Sequence, residues 1–281
     1  MIGFKNIAAV VVTYNGDASL KKTLLALLEQ VSFIIVVDNG SIDNTKSIVL
    51  SLGDSNKFRL IELSANMGLG YALNAGIRYA YASGYDWVLT MDQDSIICDG
   101  MIDAFISFIK ENNEEVCLTP NLIIHGESIN LTSGVVDLAI TSGNLVYVPI
   151  LDHVGWFNEL LFIDSIDFDF CIRLKNAGYH VSRVGNALLK HELGDSHENI
   201  FILNKYYTKH SPLRRYYMLR NSFYIFEMHC IKNVRVATKL LIGNLLSMFL
   251  VLLFEEQRRK NSFYYVKGFF HYLSRRKGKY E

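Results

Sequence analysis

Residues 7–17 read Ile-Ala-Ala-Val-Val-Val-Thr-Tyr-Asn-Gly-Asp, an apolar, β-branched run that gives way abruptly to small polar residues. An apolar run this short, closed by turn-forming residues, has the form of a strand buried on both faces. Because Ile7–Val12 begins after Lys5 and flows into TYNGD, it reads as a first core strand, and no signal peptide is expected. Similar runs recur at Phe33–Val37, Arg59–Leu63, Trp87–Met91 and Val116–Thr119. Between them Leu20, Leu24, Leu27 and Leu28 share one helical face, and Leu69, Leu73, Ile77 and Ala80 share another. This alternation predicts an α/β fold, a mainly parallel sheet flanked by helices. Ligands of such sheets bind where the loops converge at the carboxyl ends of strands. The polar stretches to inspect are therefore TYNGD after the first strand, DNGSIDNT after the second and DQDS after the fourth.

With half of its 281 residues hydrophobic, the chain can bury a sizeable core, which excludes wholesale disorder. Cys98, Cys117, Cys171 and Cys230 are scattered without CxxC spacing, a pattern of reduced cytosolic thiols that fits neither a disulfide framework nor a zinc knuckle. The net charge of zero hides an asymmetry. Residues 205–281 hold 16 Lys and Arg against 4 Glu and no Asp, which leaves 12 basic and 24 acidic residues upstream. Two parts facing different partners follow, an α/β body over 1–204 and a helical, basic and aromatic extension over 205–281. No low-complexity linker or internal repeat separates them.

Several residues point to chemistry. Asp38 follows the apolar strand Ile34–Val37 and precedes Asn39 and Gly40, so its carboxylate either accepts a base imide or ribose hydroxyl or closes an Asx turn before a helix starting near Asp43. Asn66–Gly76, NMGLGYALNAG, departs from a dinucleotide fingerprint because Leu73 occupies the third glycine position. Asp92-Gln93-Asp94 closes the strand Trp87–Met91, and two carboxylates at i and i+2 there suit Mg²⁺ or Mn²⁺ on a diphosphate. Asp164, Asp167 and Asp169 crowd ahead of a helix expected near Ile166, whose buried face is Phe170, Leu174 and Ala177; three acids exceed what capping needs, so one can serve as a general base. His191 follows an apolar run as either a structural residue or a ligand.

In order, AVVVTYNG, VVDNGSIDNT, NMGLGYALNAGI, WVLTMDQDS, TSGNLV, LFIDSIDFDFCIR and HELGD resemble the family 2 inverting glycosyltransferases of GT-A fold. HELGD followed by RRYYMLRN is similar to the bacterial members that use dTDP-L-rhamnose. The resemblance spans roughly residues 5–225. It implies a nucleotide-sugar donor held by Thr13, Tyr14, Asn15, Asp38 and Asn39, by Asn66, Gly68 and Asn74, and by Asp92, Gln93 and Asp94. It further implies a metal on Asp94 and His191, and Asp167 as catalytic base. Ile166 replaces the first acid of the family's usual pair, leaving open whether Asp164 or Asp169 supplies that carboxylate. Ser142, Gly143 and Asn144, with Trp156 either stacking on a sugar or packing in the core, are acceptor-side candidates. The implied reaction is one in-line displacement that gives an α-L-rhamnoside on a saccharide or lipid-linked acceptor in O-antigen or capsule synthesis. UDP-galactofuranose and UDP-hexoses are alternative donors.

Two other classes fit less well. A nucleotidyltransferase would carry a glycine-rich, Lys- or Arg-bearing loop where TYNGDASLKK stands, and a non-catalytic glycan-binding protein would not need Asp94, Asp167 and His191. No nucleic-acid partner is expected. In the extension, the apolar run Leu240–Phe254 is fifteen residues long and contains Gly243, Asn244 and Ser247, short of the roughly 20 residues a spanning helix needs. Lys232, Arg235, Lys239, Gly243 and Ser247 would form one stripe opposite a broad apolar face. Peripheral attachment to the inner, anionic face of the bacterial plasma membrane is therefore expected, the competing use of that face being a homodimer contact.

Overall fold

The computed structural model describes residues 6–53, 56–124, 127–128, 132–191, 199–202, 205–208, 210–255 and 257–280. In chain order the body comprises β1 (Ile7–Thr13), α1 (Ala18–Leu28), β2 (Phe33–Asp38), α2 (Thr45–Leu50), β3 (Phe58–Glu62), α3 (Leu69–Ala82), β4 (Trp87–Asp92), β5 (Ile96–Ile97), α4 (Met101–Glu111), β6 (Cys117–Ile124), β7 (Glu127–Ser128), β8 (Gly134–Val136), β9 (Asn144–Tyr147), α5 (Ile150–Val154), α6 (Ile166–Asn176) and β10 (Val181–Lys190). A small hairpin, β11 (Asn199–Ile202) and β12 (Lys205–Thr208), leads to α7 (Pro212–His229), α8 (Val234–Phe254) and α9 (Arg258–Leu273).

The main sheet runs β3-β2-β1-β4-β9-β6-β10-β5, parallel except where β9 lies antiparallel between β4 and β6 and where the short β5, β7 and β8 pair antiparallel at the margins. Every residue of β1 is buried, which accounts for its continuous apolar composition: α3 and α6 cover one face and α1 and α4 the other. Leu73 and Ile77 of α3 and Phe170 and Leu174 of α6 pack beneath Val10 and Val12, whereas Leu20 and Leu24 of α1 and Phe105 of α4 pack over Ala9 and Val11. Truncating one such leucine to alanine costs roughly 2–5 kcal/mol. Ala177, expected on the buried face of α6, instead caps the helix end and is exposed.

The register decides where function can reside. Thr13 lies opposite Asp38, and Val12 opposite Asp92, so the ends of β1, β2 and β4 open into one crevice.

The extension packs onto this body. Tyr224 and Ile225 of α7 join the core beneath α6, and Tyr272 of α9 packs there too. Arg215 of α7, fully buried, pairs with Glu255 at the end of α8 and donates to the Tyr265 hydroxyl of α9 at 3.1 Å. Gly278 N–H donates to Leu160 O at 2.7 Å, and Tyr280 N–H to the Tyr217 hydroxyl at 2.7 Å. The length argument drawn from Leu240–Phe254 needs correcting, because α8 begins at Val234 and its 21 residues are long and apolar enough to cross a bilayer. Of those residues only Ala237 and Val251 are buried.

Candidate active site

A cleft of about 550 Å³ opens at the strand ends. One wall consists of Tyr14, Asn39, Asn66 and Gly68, the floor of Asp92, Gln93, Asp94 and His191, and the opposite wall of residues 162–168 with His210, Arg214 and Met218 of the extension.

The first wall is a hydrogen-bonded scaffold. Gln93 Oε1 accepts from the Thr13 hydroxyl at 2.7 Å and from Tyr14 N–H at 2.9 Å, tying the tip of β1 to that of β4. Thr13 is therefore buried with its hydroxyl spent on Gln93, while Tyr14 faces the cleft. Asn15, at φ +48°, accepts from Ile42 N–H at 3.0 Å and donates its own N–H to Ser41 Oγ at 2.8 Å, so it braces the loop after β2. Asp38 is buried behind Asn39, its Oδ1 accepting from Ser41 N–H at 2.9 Å, which is the turn-closing alternative of the sequence reading. Asn39 and Asn66 bond to each other at 3.2 Å, and Asn66 Oδ1 also accepts from Gly68 N–H at 3.0 Å. Gly68, at φ +92°, leaves room for Phe162 O, which would lie 2.6 Å from an added Cβ.

On the floor, one ligand atom each of Asp92, Asp94 and His191 lies within 4.8 Å of the others. Burial and the neighbouring Asp94 push the Asp92 carboxyl up to about 6. Two hard carboxylates and an imidazole crowded in this way fit a divalent metal, whose charge would relieve the repulsion. Ser95 Oγ meets His191 Nδ1 at 2.7 Å, which leaves Nε2 as the ring atom available to a cation. Of HELGD, residues 192–195 lie outside the described residues.

The second wall carries Asp167, the residue expected as the base. Asp167 sits in the first turn of α6; Phe168 N–H donates to its Oδ1 at 2.9 Å, so Oδ2 is the oxygen open to a proton. Burial foremost, then Asp164 and Asp92, raises its carboxyl to about 7, near neutrality as a general base requires. Asp164 is the acid that shares the cleft; Asp169 faces backward, buried between Arg173 Nε and His229 Nε2, each 2.8 Å away. The backbone here is strained: Phe162, Asp164 and Ser165 all have φ between +62° and +68°, at about 1–3 kcal/mol each. Asn221, fully buried in α7, holds that loop by donating to Leu161 O, Ile163 O and Asp164 O at 2.9, 2.7 and 2.9 Å, and Arg220 adds a bond to Leu161 O at 3.0 Å. Arg214 Nε reaches Asp164 Oδ1 at 3.0 Å.

Several expected positions do not line the cleft. Asn74 is buried in α3, donating to Phe157 O at 2.9 Å and Glu159 at 2.8 Å and accepting from Phe157 N–H at 3.0 Å, so its amide fixes the 157–159 loop. Trp156 lies under Arg78, 4.0 Å from guanidinium carbon to ring centre, and donates to Asp152 at 3.3 Å; Arg173 grips its carbonyl at 3.0 Å. Ser142 Oγ accepts from Asp92 N–H at 3.1 Å, and Gly143 packs against Pro120 and Leu189, so both stand behind the cleft and Ile140 and Thr141 present themselves instead. Asn144 is buried in β9, opposite Thr90.

The sequence reading missed Asp164's partner Arg214, and Met218, His210, Arg220 and Asn221. Five residues of RRYYMLRN, Arg214, Tyr217, Met218, Arg220 and Asn221, touch the cleft or the loop that forms its wall. That motif was the available signal.

Comparison with known proteins agrees with this geometry. Residues 8–133 match the family described as Glycosyl transferase family 2. The dTDP-rhamnosyl transferase RfbF of Shigella flexneri is 33% identical over 238 residues, 78% of this chain and 79% of its own length. Poly-beta-1,6-N-acetyl-D-glucosamine synthase of Staphylococcus aureus (strain COL) is 33% identical over 127 residues, 44% of this chain and 30% of its own length. Among solved structures, S. aureus TarS 1-349 in complex with UDP-GlcNAc has a TM-score of 0.64 at 17% identity, covering 96% of this chain and 81% of that one. GalNAc-T7 with UDP, GalNAc and Mn²⁺ has a TM-score of 0.59 at 10% identity, covering 86% and 54%. The sheet, with its helices on both faces, is the GT-A fold, and the chain belongs to glycosyl transferase family 2 and is a glycosyltransferase.

Proposed function

We propose that the protein transfers L-rhamnose from dTDP-L-rhamnose to a saccharide or lipid-linked acceptor of a bacterial surface polysaccharide, with inversion at the anomeric carbon. The observation that carries this reading is a general-base carboxylate, Asp167, facing the same cleft as the Asp92, Asp94 and His191 group. The likeness to RfbF favours the thymidine-linked rhamnosyl donor. A UDP-hexose is the second reading, favoured by the likeness to the poly-N-acetylglucosamine synthase.

Tyr14, Asn39, Asn66 and Gly68 would bind the nucleoside, with Asp38 fixing the turn that presents Asn39. Asp94 and His191, with Asp92, would hold Mg²⁺ or Mn²⁺, which when bound neutralises charge on the departing diphosphate. Asp167 Oδ2 would take the proton of an acceptor hydroxyl as the hydroxyl oxygen attacks the anomeric carbon, while the bond from that carbon to the diphosphate oxygen breaks on the opposite face. The test is donor hydrolysis across dTDP-, UDP- and GDP-sugars with Mg²⁺ or Mn²⁺. Fastest release of dTDP from dTDP-L-rhamnose is expected; preferential release of UDP would transfer the assignment to a UDP-sugar, and no release from any donor would remove it.

We propose that α8 and α9 set the enzyme's place in the cell. Ile242, Leu246, Phe249 and Leu253 recur every three or four residues on α8 and are each at least half exposed; Phe263, Val266, Phe270 and Leu273 do the same on α9. Arg258, Arg259 and Lys260 at one end of α9 and Arg275, Arg276 and Lys277 at the other are exposed beside them. Arg215 fixes the end of α8 to the start of α7, and a short turn joins the beginning of α8 to the end of α7, so α8 lies antiparallel along α7. A cytoplasmic enzyme resting on the inner, anionic leaflet fits this arrangement, each cation contributing on the order of 1 kcal/mol. Salt-reversible flotation with anionic vesicles is the expected result. A soluble dimer that ignores vesicles would instead assign the face to a second copy.

A further inference from the structure

A buried carboxylate oxygen in the cleft is left without a hydrogen bond among the described residues. It is Oδ2 of Asp164. The other oxygen is fixed by Arg214 at 3.0 Å, and the Asp164 side chain is only 13% exposed, so the group cannot turn freely to water. Its backbone is also fixed: φ is +62°, in the left-handed region, and Asn221 bonds its carbonyl at 2.9 Å. An unpartnered acid oxygen held in place by two α7 side chains, the buried Asn221 and the partly exposed Arg214, marks a group placed for a ligand.

The position of Asp164 in the cleft suggests which ligand. Phe162 O accepts from Leu69 N–H at 2.7 Å, which locks the loop to the entry of α3, beside the wall assigned to the nucleoside. Asp167 follows three residues later. Asp164 therefore lies in a cleft-lining loop that is tied at Phe162 to the nucleotide wall and runs on into the base, on the side of the cleft where the sugar of the donor would lie. Hydroxyls are what a sugar offers, and an orphaned carboxylate oxygen is a strong acceptor for one.

We propose that Asp164 is a specificity-determining residue whose Oδ2 accepts a hydrogen bond from a ring hydroxyl of the donor sugar, with Arg214 as the positioning residue that aims it. The inference rests on the nucleotide-sugar reading of the cleft. It also answers, in part, the absence of an acid at Ile166: the second carboxylate of the wall comes from the preceding loop and serves the sugar instead of the proton transfer. No bond is made or broken at Asp164.

The experiment uses the full chain carrying Asp167→Asn, so that donor is bound without turnover. Calorimetry with MnCl₂ gives two affinities, one for the intact nucleotide sugar that the wild type hydrolyses fastest and one for the corresponding free nucleoside diphosphate. Adding Asp164→Asn or Asp164→Ala is expected to weaken the nucleotide sugar about 10–100-fold while leaving the nucleoside diphosphate within twofold. Arg214→Lys, which retains the charge and loses the Nε geometry, is expected to fall between. If both ligands weaken together, or neither does, Asp164 does not read the sugar and the proposal is overturned. Failure of the Asp167→Asn parent to bind any dTDP-, UDP- or GDP-sugar would overturn the functional reading itself, a result visible before Asp164 is changed.

Discussion

The body and the extension bury polar side chains in different places. In the body several of them, Thr13, Asp38, Asn39 and Ser95, sit at or just beyond strand ends and bond to loop groups gathered at the same edge, whether three positions away, as for Asp38 and Ser41, or 96, as for Ser95 and His191. In the extension Arg215, Arg220 and Asn221 are fully buried within a single helix and grip segments 40 to 60 positions distant in the chain. A parallel sheet gathers strand ends by its topology alone. A helix laid against that sheet contributes to the site only through particular side chains, so on the proposed roles the acidic body carries the base and the metal ligands while the basic extension fixes the loop that leads into Asp167.

The comparison can be broken at several places. The largest effect is expected from Asp167→Asn, with turnover lower by about 10²–10⁴ and nucleoside diphosphate affinity little changed; retention of more than about a tenth of turnover would return the base to Asp164, the other acid of that wall. Next is Asn221→Ala, which strips three hydrogen bonds from a strained, buried loop and is expected to cost about 2–4 kcal/mol in urea unfolding and to depress turnover with it. Asn74→Ala also frees a loop, but one away from the cleft, so its turnover is expected to fall less; equal losses would mean that the extension has no special hold on the site. Ser95→Ala leaves His191 without its orienting partner and is expected to weaken Mn²⁺-dependent nucleotide binding about 10-fold.

The smallest effect is on stability. In the folded chain the Asp167 carboxyl titrates near 7, above its ordinary 3.8, so the native state binds this proton more tightly than the unfolded chain and wild type loses stability as pH rises from about 4 to 7. Asparagine carries no such proton. Asp167→Asn is therefore expected to raise the Tm at pH 8 by a few degrees, roughly 2–6 °C, and to leave it unchanged below pH 4, as followed by thermal unfolding.

Much of the body was legible because strand burial and helix periodicity impose composition directly. β1, β2 and β4 fall within a residue of the runs that announced them, and Asp92, Asp94 and His191 converge as the motif order implied. Asn74 was misplaced, and Trp156 took its packing alternative, for one physical reason: a polar or aromatic residue near a ligand loop satisfies the backbone of that loop as readily as it meets a ligand, and spacing does not distinguish the two. Arg214 and Asn221 stood in the quoted RRYYMLRN motif, but what they hold was not legible, because their partners lie 50 or more positions away and no periodicity names them. The length of α8 was misjudged because Val234–Lys239 mixes cations with apolar residues, and the helix continues through them regardless.

The most direct measurement is a crystal structure of the full chain with MnCl₂ and dTDP, with manganese located by its anomalous scattering. A single manganese bonded to Asp94 and His191 at about 2.1–2.3 Å, with the diphosphate on it, the thymine against the Tyr14 and Asn66 wall, and Asp167 facing the vacant sugar position, is the expected result. Manganese outside the Asp92, Asp94 and His191 group, or a nucleotide lying away from this cleft, would contradict the assignment of the site.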